Sequence, residues 1–251
     1  MPLLNDILNA ILGAMRVGGL LVAMPVFGTG TIPVFVKVAL ALAIGASMSG
    51  FMGIIPESIF YNNDIIVLII MREISIGLFI GFTIRLIFVV VSMSLEYAGI
   101  QMGFAMANIF DPTNASQVTV LGQIGSILAI LIFFTTNMHH DFFVLVARSY
   151  HWWPVGVPDF NISAMANQFI DLIKKSFELS LRIAMPVMVV MLVIHTIMGV
   201  IAKAAPQMNL FFNVAIILNV VIGVIMVMMM LPQILNGVNQ MENIIKGSFG
   251  V

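Results

Sequence analysis

The chain has 251 residues, of which 61% are hydrophobic and 8% are charged, and its net charge is -1. Soluble domains contain about 25% charged and 45–50% apolar residues, so this composition excludes an ordinary globular protein. The near-neutral charge gives no reason to expect nucleic-acid binding, and the lack of cysteine excludes disulfides and thiolate metal sites.

Long uncharged runs recur along the chain. Twenty uncharged residues separate Arg16 from Lys37, and 38 separate Lys203 from Glu242. A helix needs about 20 apolar residues to cross a bilayer, whereas a membrane β-barrel has alternating segments of about ten residues. The unbroken runs therefore predict an all-α integral membrane protein.

Glycine, proline and polar residues divide these runs into helical segments. The first segment ends near Pro25 and Gly28, and a turn at Asp111-Pro112 follows the third. The predicted segments, in chain order, are 3–27, 34–55, 64–109, 118–136, 142–150, 169–205 and 211–231. The last of them is expected to end at Pro232, because proline interrupts helical hydrogen bonding.

The third segment is unusually long. It has 46 residues without a proline, which would extend about 69 Å as one straight helix, although a bilayer core is only about 30 Å thick. The segment therefore has to bend back on itself or project beyond the membrane.

The most polar region of the chain is 154–178. It contains Lys174 and Lys175, two of only ten basic residues. Because Lys and Arg are enriched in short cytoplasmic loops, this region is predicted to be a cytoplasmic loop between helices.

Small residues recur at helical spacing in the third segment. Gly77 and Gly81 form a GxxxG pair, and Gly99, Gly103 and Ala107 continue the spacing of four. Such stripes let helix backbones approach closely in lipid. The spacing is equally compatible with packing inside one bundle and with contact to another subunit.

Eight charged residues lie inside apolar runs. An intramembrane charge costs at least about 2.5–3.5 kcal/mol on insertion scales, so it normally faces protein or water. Three interpretations remain open: pairing across helices or subunits, a proton or ion path in a secondary transporter, and segments that lie outside lipid. Pairing is favoured. The eight residues are Arg16, Lys37, Arg72, Glu73, Arg85, Glu96, Arg182 and Lys203.

No catalytic pattern is present in the sequence. His139 and His140 are adjacent, so on a helix they would point about 100° apart and would make poor ligands for one metal ion. The HExxH, P-loop and GxSxG patterns are absent. The sequence therefore predicts a protein that is not an enzyme and needs no cofactor or metal.

The stretch from Gly99 to Pro112 combines small residues, Met and Phe before a sharp polar turn. In a channel, its flexible apolar side chains would close the passage by excluding water. The alternative is a helix end packed against its own bundle, which the pattern alone favours.

An ordered set of landmark residues runs from Arg16 to Asn209. The landmarks are the stretch Arg16–Gly28, Ile32-Pro33, Lys37, Glu73, Gly77, Gly81, Glu96-Tyr97-Ala98-Gly99, Gly103-Phe104-Ala105, Asp111-Pro112, Asn137, His139, Ser149, Pro154, Ala184-Met185-Pro186, Gly199 and Ala205-Pro206-Gln207-Met208-Asn209. This set resembles the FliR family of flagellar biosynthetic proteins, which belongs with the FliR/SctT export-gate subunits of type III secretion. That family often has Gly between the Asn and the His, where this chain has Met138.

The resemblance implies a subunit of the flagellar export gate in the bacterial inner membrane. One copy would join several copies each of FliP and FliQ in a helical assembly of hairpins, with part of it raised above the bilayer on the periplasmic side. FlhB, FlhA, unfolded flagellar export substrates and membrane lipid would be further partners. The same landmarks partly fit a virulence injectisome, and a small-solute transporter using Glu73, Arg85 or Glu96 is the rival from another class.

The resemblance also implies that the chain consists of two parts with different roles. Residues 1–165 would be FliP-like and include a pore plug, and residues 166–251 would form a FliQ-like hairpin and tail. The plug would lie at about 106–118, next to a Met-rich gasket supplied mainly by FliP. Its constriction residues would be Met106, Ile109, Phe110, Asp111 and Pro112.

Overall fold

The computed structural model describes residues 2–28, 32–52, 63–106, 118–155, 162–204 and 210–250. Within these ranges the regular secondary structure is helical throughout. The α-helices are α1 (Pro2–Ala23), α2 (Pro25–Gly28), α3 (Val34–Met48), α4 (Asn63–Gln101), α5 (Val120–Thr135), α6 (Met138–Trp152), α7 (Ile162–Ala204) and α8 (Leu210–Ser248), with 3-10 turns at Ser49–Phe51 and Phe104–Met106.

Several of these helices are long and apolar enough to cross a membrane. Four qualify singly: Val34–Phe51, Ile65–Gln101, Ile162–Ala204 and Ile217–Ser248. The pair α5 and α6 qualifies as a fifth span if counted together, with a bend of 74° between its two halves. The prediction of an all-α integral membrane protein is confirmed.

Helix α4 runs through 39 residues without interruption. At 1.5 Å per residue it is about 58 Å long, well beyond the hydrocarbon thickness of a bilayer. The sequence predicted that this segment either bends back on itself or projects beyond the membrane. The first of these expectations is wrong for the part up to Gln101, which is one continuous helix. The helix ends there, earlier than the predicted residue 109, because Gly103 adopts φ 87°, a left-handed conformation that stops a helix and that glycine adopts without strain.

The last helix does not end at Pro232, contrary to the sequence expectation. Helix α8 continues through this proline to Ser248. Proline removes one backbone hydrogen bond, but Met230, Ile234 and Val238 on either side are fully buried. Their packing maintains the helix across the missing bond.

The polar region 154–178 is also more helical than predicted. Helix α7 begins at Ile162, seven residues before the predicted start of segment 169–205. Lys174 and Lys175 lie within this helix, as that segment predicted, and the interpretation of the region as a loop is wrong for them. Leu172 of this region and Leu179 directly after it are buried, with 0% and 5% exposure. The apolar positions at helical spacing therefore decide the structure, and the lysines occupy its other face.

The chain forms two compact units, each made of separate pieces. The first unit contains Met1–Leu86, Phe133–Leu172 and Ile245–Val251, and the second contains Ile87–Ile132 and Ile173–Ile244. These units are defined by contacts and combine distant parts of the sequence. They therefore do not test the predicted division into a FliP-like part, 1–165, and a FliQ-like part, 166–251, which stays a prediction.

In the first unit, helix backbones meet at glycines. A Cβ added to Gly45 of α3 would overlap the backbone of Ala14 in α1, and one added to Gly19 of α1 would lie 2.6 Å from the carbonyl oxygen of Ile74 in α4. Both helix crossings therefore require a residue without a side chain at these two positions.

In the second unit, α7 and α8 pack as an antiparallel pair. A Cβ on Gly237 of α8 would lie 2.5 Å from Cδ1 of Ile183 in α7. Ala184, Val187 and Met191 of α7 are completely buried. These positions recur every three or four residues, as in a helix with one packed face.

Candidate functional site: buried charges and the flanks of the predicted plug

A buried ion pair joins α1 to α4 in the first unit. Arg16 Nε donates to Glu73 Oε2 at 2.6 Å, and both side chains have 0% exposure. Both residues were predicted to be intramembrane charges. Their pairing gives each charge an opposite partner in a low-dielectric setting, where an unpaired charge would be very costly.

The remaining donors of Arg16 bind the end of α6. Its Nη1 donates to Ser149 Oγ at 2.9 Å, and its Nη2 donates to the Trp153 carbonyl oxygen, also at 2.9 Å. The guanidinium lies 4.0 Å from the ring centroid of Tyr150, a cation–π geometry. One side chain thus ties three helices together.

Arg72 adds a second tie between the same elements. Its Nη1 donates to the Pro154 carbonyl oxygen at 2.9 Å and lies 3.6 Å from Glu73 Oε1. Pro154 follows Trp153, whose ring packs edge-on against Phe79 of α4 at a centroid distance of 6.0 Å. The chain leaving α6 is therefore held to α4 by both polar and aromatic contacts.

The predicted GxxxG pair lies beside this network. A Cβ on Gly77 would overlap the Arg16 carbonyl oxygen, and a Cβ on Gly81 would lie 2.7 Å from the Leu20 carbonyl oxygen. Within this chain, these two glycines face α1. Their lack of side chains allows the backbone approach that brings Arg16 to Glu73.

The other predicted charges are less enclosed. Lys37 on α3 is half-buried, whereas Arg85 on α4 and Lys203 at the end of α7 are exposed in the isolated chain. Burial by the chain's own fold therefore holds for Arg16, Arg72 and Glu73 and not for Arg85 or Lys203.

Glu96 of α4 binds the residue that precedes α5. In the second unit, its two carboxylate oxygens accept the Thr119 backbone N–H at 3.1 and 3.0 Å, and Oε2 also accepts Thr119 Oγ1 at 2.8 Å. Thr119 immediately precedes α5, and its Oγ1 accepts the Gly122 backbone N–H at 3.2 Å. Together these bonds satisfy backbone donors that the first turn of a helix leaves without partners.

Two glycines make room for this carboxylate. A Cβ on Gly122 would overlap Glu96 Oε2, and a Cβ on Gly99 would lie 2.5 Å from Thr119 Oγ1. Gly103, which was predicted to continue the packing stripe, has no described residue within 4 Å of an added Cβ and follows the end of the helix. The stripe of spacing four therefore contacts neighbouring residues at Gly99 and not at Gly103.

The predicted constriction residues fall mainly outside the described part of the chain. The backbone of Met106 lies in the short turn Phe104–Met106, and Ile109, Phe110, Asp111 and Pro112 lie outside the described residues. The structure therefore gives the flanks of the predicted plug: Gly103 on one side and Thr119, bound by Glu96, on the other.

These arrangements position helices, and the described ranges contain no group of three or more His, Asp or Glu residues able to hold a metal ion. Ser149 and Thr119 were not singled out as functional residues by sequence reasoning. Ser149 lies 133 residues from Arg16 along the chain, so no local spacing could have linked them. For Thr119, the signal was a hydroxyl side chain of the kind that caps helix N-termini, although the predicted segment 118–136 placed this residue inside the helix.

Comparisons with known proteins identify relatives over most of the chain. A family model described as Bacterial export proteins, family 1, matches residues 7–244. Flagellar biosynthetic protein FliR of Escherichia coli (strain K12) is 27% identical over 223 residues, which cover 88% of this chain and 83% of that protein. The protein of the same name from Aquifex aeolicus (strain VF5) is 26% identical, with 91% and 87% covered.

The FliR protein of Buchnera aphidicola subsp. Acyrthosiphon pisum (strain APS) is 29% identical over 171 residues. That match covers 67% of this chain and 64% of the relative, so the aligned part spans less than two thirds of the Buchnera protein. The matches to the Escherichia coli and Aquifex aeolicus proteins cover more of both chains.

Proposed function

The chain belongs to the bacterial export proteins, family 1, and we propose that it is a core subunit of the flagellar type III protein export gate. It is a membrane-embedded component of the flagellar export apparatus. In the proposed role it forms, with FliP and FliQ, the channel through which unfolded flagellar proteins cross the inner membrane. The match of the family model over residues 7–244 carries this proposal.

The proposed assembly contains one copy of this chain and several copies each of FliP and FliQ, with FlhB and FlhA as further partners. Residues 1–165 act as the FliP-like part and residues 166–251 as the FliQ-like part. Many large apolar side chains of α7 and α8 are exposed in the isolated chain, including Leu192, Val200 and Met228 at 65% each. Lipid and partner helices would cover them.

Two features favour this role over the alternatives. The relatives described above are named as flagellar proteins, which favours the flagellar system over an injectisome. A solute transporter would need accessible carboxylates in the membrane. Glu73, however, is bound to Arg16, and Glu96 accepts bonds from Thr119, so both carboxylates already have structural partners.

We expect this chain, co-expressed with FliP and FliQ and extracted in detergent, to appear by native mass spectrometry in a complex. The complex should contain one copy of this chain and several copies each of FliP and FliQ. The exposed apolar side chains of α7 and α8 are the physical reason, because a hydrophobic surface of this size is normally covered by other protein or by lipid. The matched control is co-expression with either partner alone.

A chain that purifies alone, or only with itself, from all three co-expressions would overturn the proposed gate role. The next measurement would then be solute uptake into liposomes that contain this chain without partners. Uptake in that experiment would support the transporter alternative.

The proposed plug gives a separate prediction. Deleting 107–113, or replacing Phe110 with Gly, is expected to let ions leak through membranes that contain the assembly, because a closure made of apolar side chains excludes water only while those side chains are present. Conductance measured in planar bilayers checks this expectation. Phe110→Leu, which keeps an apolar side chain at this position, is the control. Wild-type conductance in the plug variants would mean that the closure lies elsewhere.

A further inference from the structure

An apolar groove lies between α1, α3 and α4 of the first unit. Its volume is about 540 Å³, which is within the range of roughly 300–1,000 Å³ that is usual for small-molecule sites. Several of the residues that line it are small, among them Ala14, Gly18 and Ala41. Because these residues have little or no side chain, they leave space that larger side chains would fill.

The groove follows the antiparallel course of α1 and α3. Ala14 of α1 meets Gly45 of α3, and an added Cβ on Gly18 lies 3.9 Å from Ala41 Cβ. The lining residues on α3 belong to the stretch Val34–Leu42, which corresponds to about 12 Å of helix. The groove is therefore elongated along the helix axes.

The rim of the groove is made of exposed apolar side chains. Val22 of α1 is 63% exposed, and Val34 and Val38 of α3 are 73% and 52% exposed. Helix α3 belongs to the candidate membrane span Val34–Phe51. Exposed apolar surface of this kind contacts lipid or another protein, so the groove is accessible from the hydrocarbon region of a bilayer.

One positive charge lies at an end of this groove. Of the described residues that line it, Lys37 alone is charged, and the others are apolar or glycine. Lys37 is the fourth residue of the candidate span, so it lies about 4.5 Å from the end of that helix. Lysines near the ends of membrane helices extend along apolar surface and place the ammonium group at the headgroup level. An occupant that complements both features has a hydrocarbon body and an anionic head.

We propose that this groove binds an acyl chain of an anionic phospholipid whose phosphate pairs with Lys37. Basic pockets between membrane-spanning helices are suited to anionic headgroups. A helix of another subunit would complement Lys37 only with an acidic residue at one particular place, whereas an anionic phospholipid carries both required features in one molecule. This inference goes beyond the proposed function and does not depend on it.

Native mass spectrometry of the full chain in detergent, with dioleoylphosphatidylglycerol or dioleoylphosphatidylcholine added, tests the headgroup preference. We expect the unaltered chain to retain one phosphatidylglycerol and to bind phosphatidylcholine more weakly. Lys37→Met keeps an apolar stem without the charge, so it should weaken phosphatidylglycerol binding about fivefold. Lys203→Met, which removes an exposed lysine in the last turn of α7, is the control. Unchanged phosphatidylglycerol affinity in Lys37→Met would overturn the pairing with the phosphate.

Filling the groove tests where the acyl chain lies. An added Cβ on Gly18 makes only an ordinary contact within the described residues, so Gly18→Leu is expected to take up groove volume and to abolish retention of both lipids. Val38→Trp, at an exposed position on the rim, should give the same loss. Gly199→Leu is the control, because its Cβ has no described atom within 4 Å. Full lipid retention in both groove variants would place the lipid elsewhere.

Photo-crosslinking distinguishes a lipid from a partner helix. Because the chain has no cysteine, Val38→Cys labelled with benzophenone maleimide places one crosslinker at the groove. In membranes that also contain FliP and FliQ, we expect crosslinks to phospholipid, and crosslinks mainly to FliP or FliQ would overturn the proposal. Lipid retention is measured on the chain alone, so failure of the gate complex to form would contradict the proposed function and not this inference.

Discussion

Replacing Arg16 with alanine is expected to prevent the folded chain from accumulating in the membrane. The substitution leaves Glu73 buried at 0% exposure without its main counter-charge, and it removes the donors to Ser149 and to the Trp153 carbonyl. Breaking a buried pair by removing one partner typically costs about 3–5 kcal/mol. Stabilities of native proteins are only about 5–15 kcal/mol, so a loss of this size removes a large part of the free energy of unfolding.

The amount of intact protein in membranes, and its recovery in the complex with FliP and FliQ, measure this effect. Glu73→Ala should be similarly damaging because it leaves Arg16 buried and unpaired. The matched control is Arg182→Ala, which removes the partner of Glu178 in a pair whose side chains are 63% and 68% exposed. Exposed pairs contribute little, so this variant should accumulate normally. Equal accumulation of Arg16→Ala and Arg182→Ala would show that the buried pair does not stabilise the fold.

Replacing Gly77 with valine is expected to separate α1 from α4. The added Cβ would overlap the Arg16 carbonyl oxygen and lie 3.1 Å from the Leu20 nitrogen. Both are backbone atoms of a helix, which cannot move aside as a flexible side chain does. Overpacking of this kind costs about 1–3 kcal/mol or more. Gly77→Ala should already be destabilising, because the first added carbon causes the overlap.

The matched control for Gly77 is Gly199→Ala. Gly199 also lies inside a helix, but within the described part of the chain no atom is within 4 Å of its added Cβ. Alanine favours helix over glycine by about 1 kcal/mol, so this variant should be neutral or stabilised. Thermal unfolding midpoints in detergent compare the two. A midpoint for Gly77→Ala at or above that of the unaltered chain would refute the close crossing of α1 and α4.

The small-residue spacing shows how far a local pattern reaches. It indicated that residues 77 and 81 would meet another helix, because a GxxxG pair creates a flat surface on one helix face. It did not say which helix, and the alternatives of a neighbouring subunit and the same bundle were equal. The contacts with Arg16 and Leu20 arise from the crossing of α1 and α4, which depends on the whole first unit.

The charges inside apolar runs likewise indicated that partners exist but not which residues they are. The cost of charge in lipid indicated that Arg16, Glu73 and Glu96 would have partners. The expectation did not say which group would bind Glu96, and its carboxylate binds the start of α5. The helix N-terminus offers several backbone donors at once, and no property of α4 alone reveals that α5 begins beside it.

Composition and hydropathy by themselves determined the class of protein, the approximate places of the helices and, through an ordered set of landmarks, the family. These are local properties: hydrophobic length decides whether a helix suits a membrane, wherever the helix lies. The tertiary structure alone decided the pairing of Arg16 with Glu73 across 57 positions and with Ser149 across 133. It also decided the continuation of α8 through Pro232. Helix crossings and the packing of distant side chains set these outcomes, because free energy gained in tertiary contacts overrides local preference.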